Sequence, residues 1–374
     1  MVEFKNELNR VCLIIPGFDA GGIENYVLRY LEHVGDVSHI TIMARSAKGD
    51  DLLKEYQRTG VTIRRQGVSY FNVYKWFLLY RFFKKSRFRV VCDFNENFSG
   101  IPMLVARLAS VGNRIAFYRR SSHGFKPTRF NLMYASLLNK LVFSHATAIL
   151  SNSKHAFDFF FSTRYITDKR FRVIPNGVES QKFNPTESRE EARTILKIPA
   201  GKFVLGHSGR FDPAKNHVTF FRVAASLAKK YPDILFLFCG KGTDSPRFTE
   251  LLEENQIREK AICLGTRKDV QLVLRTMDLF YFPSVTEGQP NALIEAVLSG
   301  LPVVTSDIKP IREALPESSY KDLINPTDVE EAFIAIEAFY LGRKKFDTEK
   351  LKDWAKAKYD VSRNLSLFTN ELIR

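Results

Sequence analysis

Two glutamates separated by seven residues bracket the stretch of this chain best equipped for chemistry: Pro283-Ser284-Val285-Thr286-Glu287-Gly288-Gln289-Pro290-Asn291-Ala292-Leu293-Ile294-Glu295-Ala296. The apolar run Leu279-Phe280-Tyr281-Phe282 before it reads as a buried strand. Gly288 permits a tight turn, and Pro290 fits a first helical position, where its missing N–H costs nothing. The N–H groups of Asn291, Ala292 and Leu293 would then stand unpaired at a helix start, which favours an anion. Glu287 stays in the loop, while Glu295 lies roughly 7–8 Å along the helix axis. Glutamates are usually surface residues, yet Ala296-Val297-Leu298 after Glu295 allow it to be partly buried, and a carboxylate can accept both hydrogen bonds of a ribose diol. A carboxylate on each side of an anion site suits a ligand with a central diphosphate and hydroxyls at both ends. A nucleotide sugar has that shape.

Cations stand ready elsewhere. In Gly209-Arg210-Phe211-Asp212-Pro213-Ala214-Lys215-Asn216-His217, Arg210 closes a strand and Lys215 opens a helix. Two cations there could neutralise a diphosphate and the charge that grows on it as a bond breaks; the bland reading is a solvated pair. Gly17-x-x-x-Gly21-Gly22-Ile23-Glu24 follows the first strand, and paired glycines let a ligand approach the backbone, although a plain turn needs them too. Arg119-Arg120-Ser121-Ser122-His123-Gly124 follows another strand and offers His123 between structural and functional roles. No Ser–His–Asp arrangement, zinc-type HExxH or Asp-x-Asp is present, so no metal site is expected. The segment from Tyr70 to Arg89 interleaves aromatics with cations. It suits either a helix in an anionic membrane interface or a sheet-covering helix with a basic end.

Parallel strands must carry these loops. Val11-Cys12-Leu13-Ile14-Ile15 is continuously apolar, a helix is expected from about Ile23 to Val34, and strands recur near 39–44, 61–66, 89–94, 114–119, 146–151 and 171–175. After Pro175-Asn176-Gly177 and a polar linker the pattern restarts, with strands near 203–206, 234–239, 261–264, 279–282 and 302–305 and helices near 328–340 and from 350. Apolar strands alternating with amphipathic helices predict an α/β protein, two tandem doubly wound parallel-sheet domains with ligands at the strands' carboxyl ends.

Composition sets outer bounds. The 374 residues suffice for two cores, and 45% hydrophobic with 26% charged residues is ordinary for globular chains. No apolar run reaches the ~18–20 residues of a membrane span, and the start lacks a signal-peptide pattern. Cys12, Cys92, Cys239 and Cys263 fall in expected strands without metal spacing, as reduced core residues of a cytoplasmic protein would. Residues 1–180 carry 27 Lys and Arg against 14 Asp and Glu, a net of +13, whereas the remainder is near balance at 29 against 27. The basic half points to an acidic partner or surface.

Taken together, these pieces make the chain resemble the family 4 glycosyltransferases of the GT-B fold, group 1. The resemblance rests on Gly21-Gly22-Ile23-Glu24, Ile174-Pro175-Asn176-Gly177-Val178, Gly209-Arg210 with Lys215-Asn216-His217, and the Glu287 to Glu295 spacing. It implies Rossmann-like domains at 1–180 (acceptor) and 181–349 (nucleotide sugar), with a helix at 350–374 crossing back to the first. It implies a retaining, metal-independent hexosyltransferase with no cofactor beyond its donor, a nucleotide sugar with UDP the expected carrier. The sugar would be a hexosyl or N-acetylhexosaminyl unit, and the acceptor a saccharide or lipid-linked group in cell-surface polysaccharide assembly. The resemblance gives Arg210, Lys215, Glu287 and His123 catalytic roles, with Arg210 and Lys215 on the diphosphate and Glu287 and His123 at the sugar. It gives donor binding to Gly21, Gly22, Thr266, Arg267, Asn291, Ala292, Leu293 and Glu295, the last at the ribose. Gln289 and Asn291 flank Pro290 where many relatives carry apolar residues, a difference that bears on which sugar is taken. A cytoplasmic protein, peripheral on an anionic membrane through its first domain and binding no nucleic acid, is the expected setting. The rival readings are a nucleotide-sugar epimerase of similar architecture and a non-catalytic basic protein bound to membrane or nucleic acid.

Overall fold

The computed structural model describes residues 10–47, 49–69, 72–121, 126–162, 166–184 and 186–374. The chain divides into two compact units: Met1–Gly177 together with Ser362–Arg374, and Val178–Val361.

In the first unit, β1 (Val11–Ile15), β2 (Ile40–Ala44), β3 (Thr62–Arg65), β4 (Val90–Asp93), β5 (Asn113–Tyr118), β6 (Ala148–Ser151) and β7 (Phe171–Val173) form one sheet of order β3-β2-β1-β4-β5-β6-β7. Every pairing is parallel, with Leu13 opposite Ile42 on one side and Cys92 on the other. Burial of both strand faces explains why β1 is apolar at all five positions. The connecting helices are α1 (Gly22–Val34), α2 (Leu53–Arg58), α3 (Val73–Ser86), α4 (Gly100–Leu108), α5 (Arg129–His145) and α6 (Lys154–Phe161). Side chains of α3, α4, α5 and α6 join Cys12, Ile14, Met43, Val91 and Ile149 in one buried cluster, so these four helices cover the same sheet face. Asn72 and Thr128 cap α3 and α5 by accepting the Lys75 and Asn131 N–H groups.

The second unit repeats the plan. Its strands β8 (Phe203–Ser208), β9 (Ile234–Cys239), β10 (Ala261–Cys263), β11 (Leu279–Phe282) and β12 (Val303–Thr305) order as β10-β9-β8-β11-β12, again all parallel. The helices are α7 (Arg189–Ile195), α8 (His217–Lys230), α9 (Pro246–Glu254), α10 (Val270–Arg275), α11 (Asn291–Leu298), α12 (Lys309–Ala314), α13 (Val329–Tyr340) and α14 (Thr348–Tyr359). Two clusters, one around Leu237, Phe280 and Leu293 and the other around Phe220, Phe238 and Tyr281, fill the two sides of this sheet. The two doubly wound parallel domains expected from the sequence are both present.

Several local expectations change. The helix from 350 is two helices, α14 and α15 (Val361–Ile373), parted at Asp360. Ala355 and Tyr359 of α14 belong to the second core, whereas Phe368 of α15 packs on Tyr26, Tyr30, Phe94 and Phe117 of the first unit. The segment read as a linker is largely structured: Val178 bridges to Asp360, and Phe183 is buried in the second core. Cys263 is only partly buried, unlike Cys12, Cys92 and Cys239. Lys215 does not open a helix. It ends a 3₁₀ turn, Pro213–Lys215, capped by the Asp212 carboxylate, and Asn216 in the left-handed conformation separates that turn from α8.

Candidate active site

In an open parallel sheet, ligands bind outside the carboxyl ends of the strands where the strand order reverses. In the second unit that point lies between β8 and β11. The loops leaving these two strands carry Arg210 with Lys215 and Glu287 respectively.

The turn after β8 is strapped to the loop after β11. Val285 N–H donates to Ala214 O at 2.9 Å, and Asn216 Nδ2 donates to Pro283 O at 3.2 Å and Pro326 O at 2.7 Å. These bonds bring Lys215 Nζ to 2.6 Å from Glu287 Oε1, with both side chains largely buried (18% and 9% exposed). Nζ also stands 4.9 Å from the centre of the Phe282 ring. Arg210, by contrast, is exposed and makes no hydrogen bond or ion pair among the described residues. One cation is held and the other is free to close on an anion.

Beneath Lys215 lies a pair the sequence reading passed over. His207 at the end of β8 and His217 at the start of α8 stack edge to face, 4.8 Å between centroids. His207 Nδ1 lies 3.0 Å from Tyr281 O, while its Nε2 and both nitrogens of His217 are buried without a hydrogen-bond partner among the described residues. Burial, and then the neighbouring His217 charge, lowers the His207 pKa well below the usual value. Burial and then Lys215 push His217 down to about 4. Both rings are therefore neutral at pH 7, a shelf under the lysine that adds no charge.

The next loops close the far side. Gly240 N–H donates to Gly265 O at 2.7 Å, and a Cβ on Gly240 would stand 2.2 Å from Gly209 O. Thr266 is exposed, and Arg267 makes a two-bond pair with Asp269 (2.8 and 2.6 Å) that holds the Asp269 carboxyl below its usual range. Burial, above all, pushes Cys239 at the end of β9 up to about 11. Glu295 is half-buried on α11.

The α11 start differs from expectation by one residue. Pro290 is the N-cap, its ψ of 74° outside the helical range, and the Asn291 N–H donates to Gln289 O at 2.9 Å. The anion site thus reduces to the Ala292 and Leu293 N–H groups, which find no acceptor among the described residues. Among the described residues no side chain caps this helix, which leaves its positive end bare.

In the first unit the order reverses between β1 and β4. Gly21 caps α1 and Gly22 begins it; a Cβ on Gly21 would meet Glu24 Oε2 at 2.3 Å, but one on Gly22 would meet nothing within 4 Å. The chain itself therefore makes no steric demand for glycine at 22. After β4, Asp93 and Glu96 are buried carboxyls with raised pKa values, burial being the main cause. Arg120 donates to Glu96 at 2.8 Å. The sequence reading missed these two acids, which carry no motif. Arg119, half-buried, lies over the Tyr26 ring at 3.8 Å and donates to Asn176, and the loss of water around its guanidinium pushes its pKa down to about 10. His123 lies outside the described residues.

Of the groups expected at the donor, Arg210 and Lys215 follow β8, Glu287, Ala292, Leu293 and Glu295 follow β11, and Arg267 follows β10, with Lys215 and Glu287 in direct contact. Fixed N–H groups, one free and one held cation, and two carboxylates can bind a diphosphate ester flanked by hydroxyls.

Comparison with known proteins agrees with this fold. Residues 188–361 match a family described as Glycosyl transferases group 1, and residues 20–182 match Glycosyltransferase Family 4. The chain is 28% identical over 278 residues to the putative glycosyltransferase EpsF of Bacillus subtilis, covering 73% of this chain and 71% of that one. It is 27% identical over 240 residues to the UDP-Gal:alpha-D-GlcNAc-diphosphoundecaprenol alpha-1,3-galactosyltransferase of Escherichia coli, covering 62% of this chain and 60% of that one. Among solved structures, HepE of Anabaena in complex with UDP superposes with a TM-score of 0.80 at 16% identity, over 97% of this chain and 99% of that one.

Proposed function

The chain belongs to the group 1, family 4 glycosyltransferases of the GT-B fold, and on that footing we propose that it transfers a hexosyl or N-acetylhexosaminyl unit from a UDP-sugar, with retention and without a metal. The proposed acceptor is a saccharide or lipid-linked group in cell-surface polysaccharide assembly, bound by the basic first unit at the cytoplasmic face of a membrane. The observation that carries the reading is Lys215, held by Glu287 at 2.6 Å beside the free Arg210 at the β8/β11 reversal.

The residues divide the work as follows. Arg210, Lys215 and the Ala292 and Leu293 N–H groups take the diphosphate, Glu295 accepts from the ribose diol, and the Thr266-Arg267 backbone meets the base. Glu287 orients Lys215 and faces the sugar. When the bond from the anomeric carbon to the phosphate oxygen breaks, its electron pair stays on that oxygen, where both cations stabilise it. The acceptor oxygen bonds the anomeric carbon on the face being vacated, and its proton passes to the departing phosphate. The family resemblance assigns Gly22 to the phosphates and His123 to the sugar.

A panel of UDP-, GDP-, ADP- and dTDP-sugars tests the donor by thermal shift, because a ligand of the native state raises its apparent stability. Transfer is then followed with the stabilising donor and a lipid-linked acceptor. Retention of normal donor turnover by both Arg210→Ala and Lys215→Ala would remove the assignment. Conversion of donor without acceptor would indicate an epimerase instead.

A further inference from the structure

We infer that the first unit carries a lipid-docking face made by the N-terminal halves of α3 and α5 and fitted to an anionic bilayer. On α3, Val73, Tyr74, Phe77 and Leu78 are 67%, 67%, 51% and 37% exposed. On α5, Phe130, Met133 and Leu137 are 62%, 66% and 54% exposed. Each set follows the three-to-four-residue spacing of one helix face. The opposite faces, Leu79, Phe82 and Phe83 on α3 and Leu138 and Val142 on α5, share one buried cluster, so both exposed rows point away from the same side of the sheet. The two helices flank α4 and pack against it. In a parallel sheet every such crossover helix runs against the strands, so both rows lie toward the strands' carboxyl edge. Single exposed apolar residues are ordinary, but neighbouring rows of them mark a contact surface.

Charge selects the occupant. No Asp or Glu occurs between Glu55 and Asp93, or between Glu96 and Asp158, so both helices and their flanks carry cations only. Lys75, Arg81, Lys84, Lys85 and Arg87 on or beside α3, and Lys126, Arg129 and Lys140 on or beside α5, are exposed. Arg81 lies 5.9 Å from the centre of the Phe77 ring, as a long cation does when its stem covers apolar surface and its head reaches for phosphate. A second copy of the chain would set these cations against one another. Anionic headgroups over acyl chains match both the apolar rows and the cations. Among the described residues no helix is long and apolar enough to cross a membrane, so the contact is interfacial. The face would hold the carboxyl edge of the first sheet near the headgroups, which suits a lipid-linked acceptor; that consequence rests on the transferase reading, whereas lipid contact does not.

The test is co-sedimentation of the full chain with phosphatidylcholine vesicles and with vesicles that also contain phosphatidylglycerol, without donor or acceptor. Binding is expected to the mixed vesicles only and to weaken as salt is raised. The double variants Tyr74→Ser/Phe77→Ser and Phe130→Ser/Met133→Ser should each lower the partition coefficient by about tenfold or more, with an unchanged melting temperature. Unaltered binding by both variants, equal binding to neutral vesicles, or no binding by the native chain would overturn the inference. Light scattering that showed self-association abolished by the same variants, with no vesicle binding, would assign the face to a second copy. Donor thermal shift needs no vesicle, so failure here and failure of the transferase reading are separable.

Discussion

At the scale of single residues, Lys215 and Glu287 are coupled tightly enough that neither can be altered alone. Replacing Lys215 by Ala removes a cation from the proposed phosphate site and also strands Glu287, a largely buried carboxylate. We expect Lys215→Ala to lower kcat by about 10²–10³, or roughly 3–4 kcal/mol of barrier, and to weaken UDP binding measured by titration calorimetry. Glu287→Gln keeps the shape and frees the lysine, so kcat should fall while UDP affinity holds or rises. Equal loss of stability in both variants with no change in UDP affinity would reduce the pair to a loop fastener. The histidine shelf makes a pH prediction. Unfolded His217 takes a proton near pH 6.5, whereas the folded ring resists it down to about 4. Between those values the unfolded state binds more protons, so stability present at neutral pH is lost as the pH falls, by about 3 kcal/mol across the window. His207 acts in the same direction. His217→Leu should flatten the fall of melting temperature between pH 6.5 and 4, and an unchanged slope would mean that other groups carry it.

Among the elements, the turns leaving β8 and β9 constrain each other through glycine. Gly240 has φ +143°, and a Cβ there would collide with Gly209 O, a backbone atom that cannot swing aside. Gly240→Ala should cost roughly 2–4 kcal/mol and, by displacing the Arg210 loop, weaken donor binding beyond what the melting temperature accounts for. Gly22→Ala is its counterpart: with open space around the site, the fold should keep its melting temperature while transfer slows, if phosphates approach there. Transfer at the native rate would withdraw Gly22 from the donor site. The contrast also shows what could be read from sequence. Strands such as Val11–Ile15 and Ile234–Cys239 were legible because sheets covered on both faces need unbroken apolar runs. The β8 and β11 loops were legible because glycine, proline and charge interrupt those runs. The exact starts of α8 and α11 were not, because they turn on single conformations: Asn216 in the left-handed region and the ψ of Pro290. The His207–His217 stack was hidden for a different reason, since residues ten apart carry no periodic signal when a strand, a turn and a helix start lie between them.

The molecule as a whole is not divided in chain order, because its last helix belongs to its first unit. The family resemblance implied the return, but not that the crossing point is Asp360, where Val178 pairs beside the end of α14 before α15 departs. Phe368 is fully buried, its ring 4.8 Å from that of Tyr30 and 5.8 Å from those of Tyr26 and Phe94. Asn113 at the start of β5 donates to Glu371 O at 2.8 Å, and the Glu371 carboxylate pairs with Arg172 on β7. The helix therefore completes a core and also satisfies strand residues, so its loss should be felt across the first sheet. Phe368→Ala should cost about 3–5 kcal/mol, as a buried aromatic does when it leaves a cavity. Removing Ser362–Arg374 should do more, exposing a cluster of four aromatic rings and taking from Arg172 its Glu371 carboxylate. The second unit, contiguous from Val178 to Val361 and with apolar clusters on both sides of its sheet, contains neither Phe368 nor its partners. The shortened chain should accordingly melt with the first-unit transition lost or strongly lowered and the second retained. Because the Lys215–Glu287 site lies wholly in the second unit, UDP should still raise that remaining transition, while transfer is abolished. If both transitions survived truncation, α15 would be an ornament on the first unit. If both disappeared, the two cores would have to fold as one, and the division at Gly177 would describe geometry without describing stability.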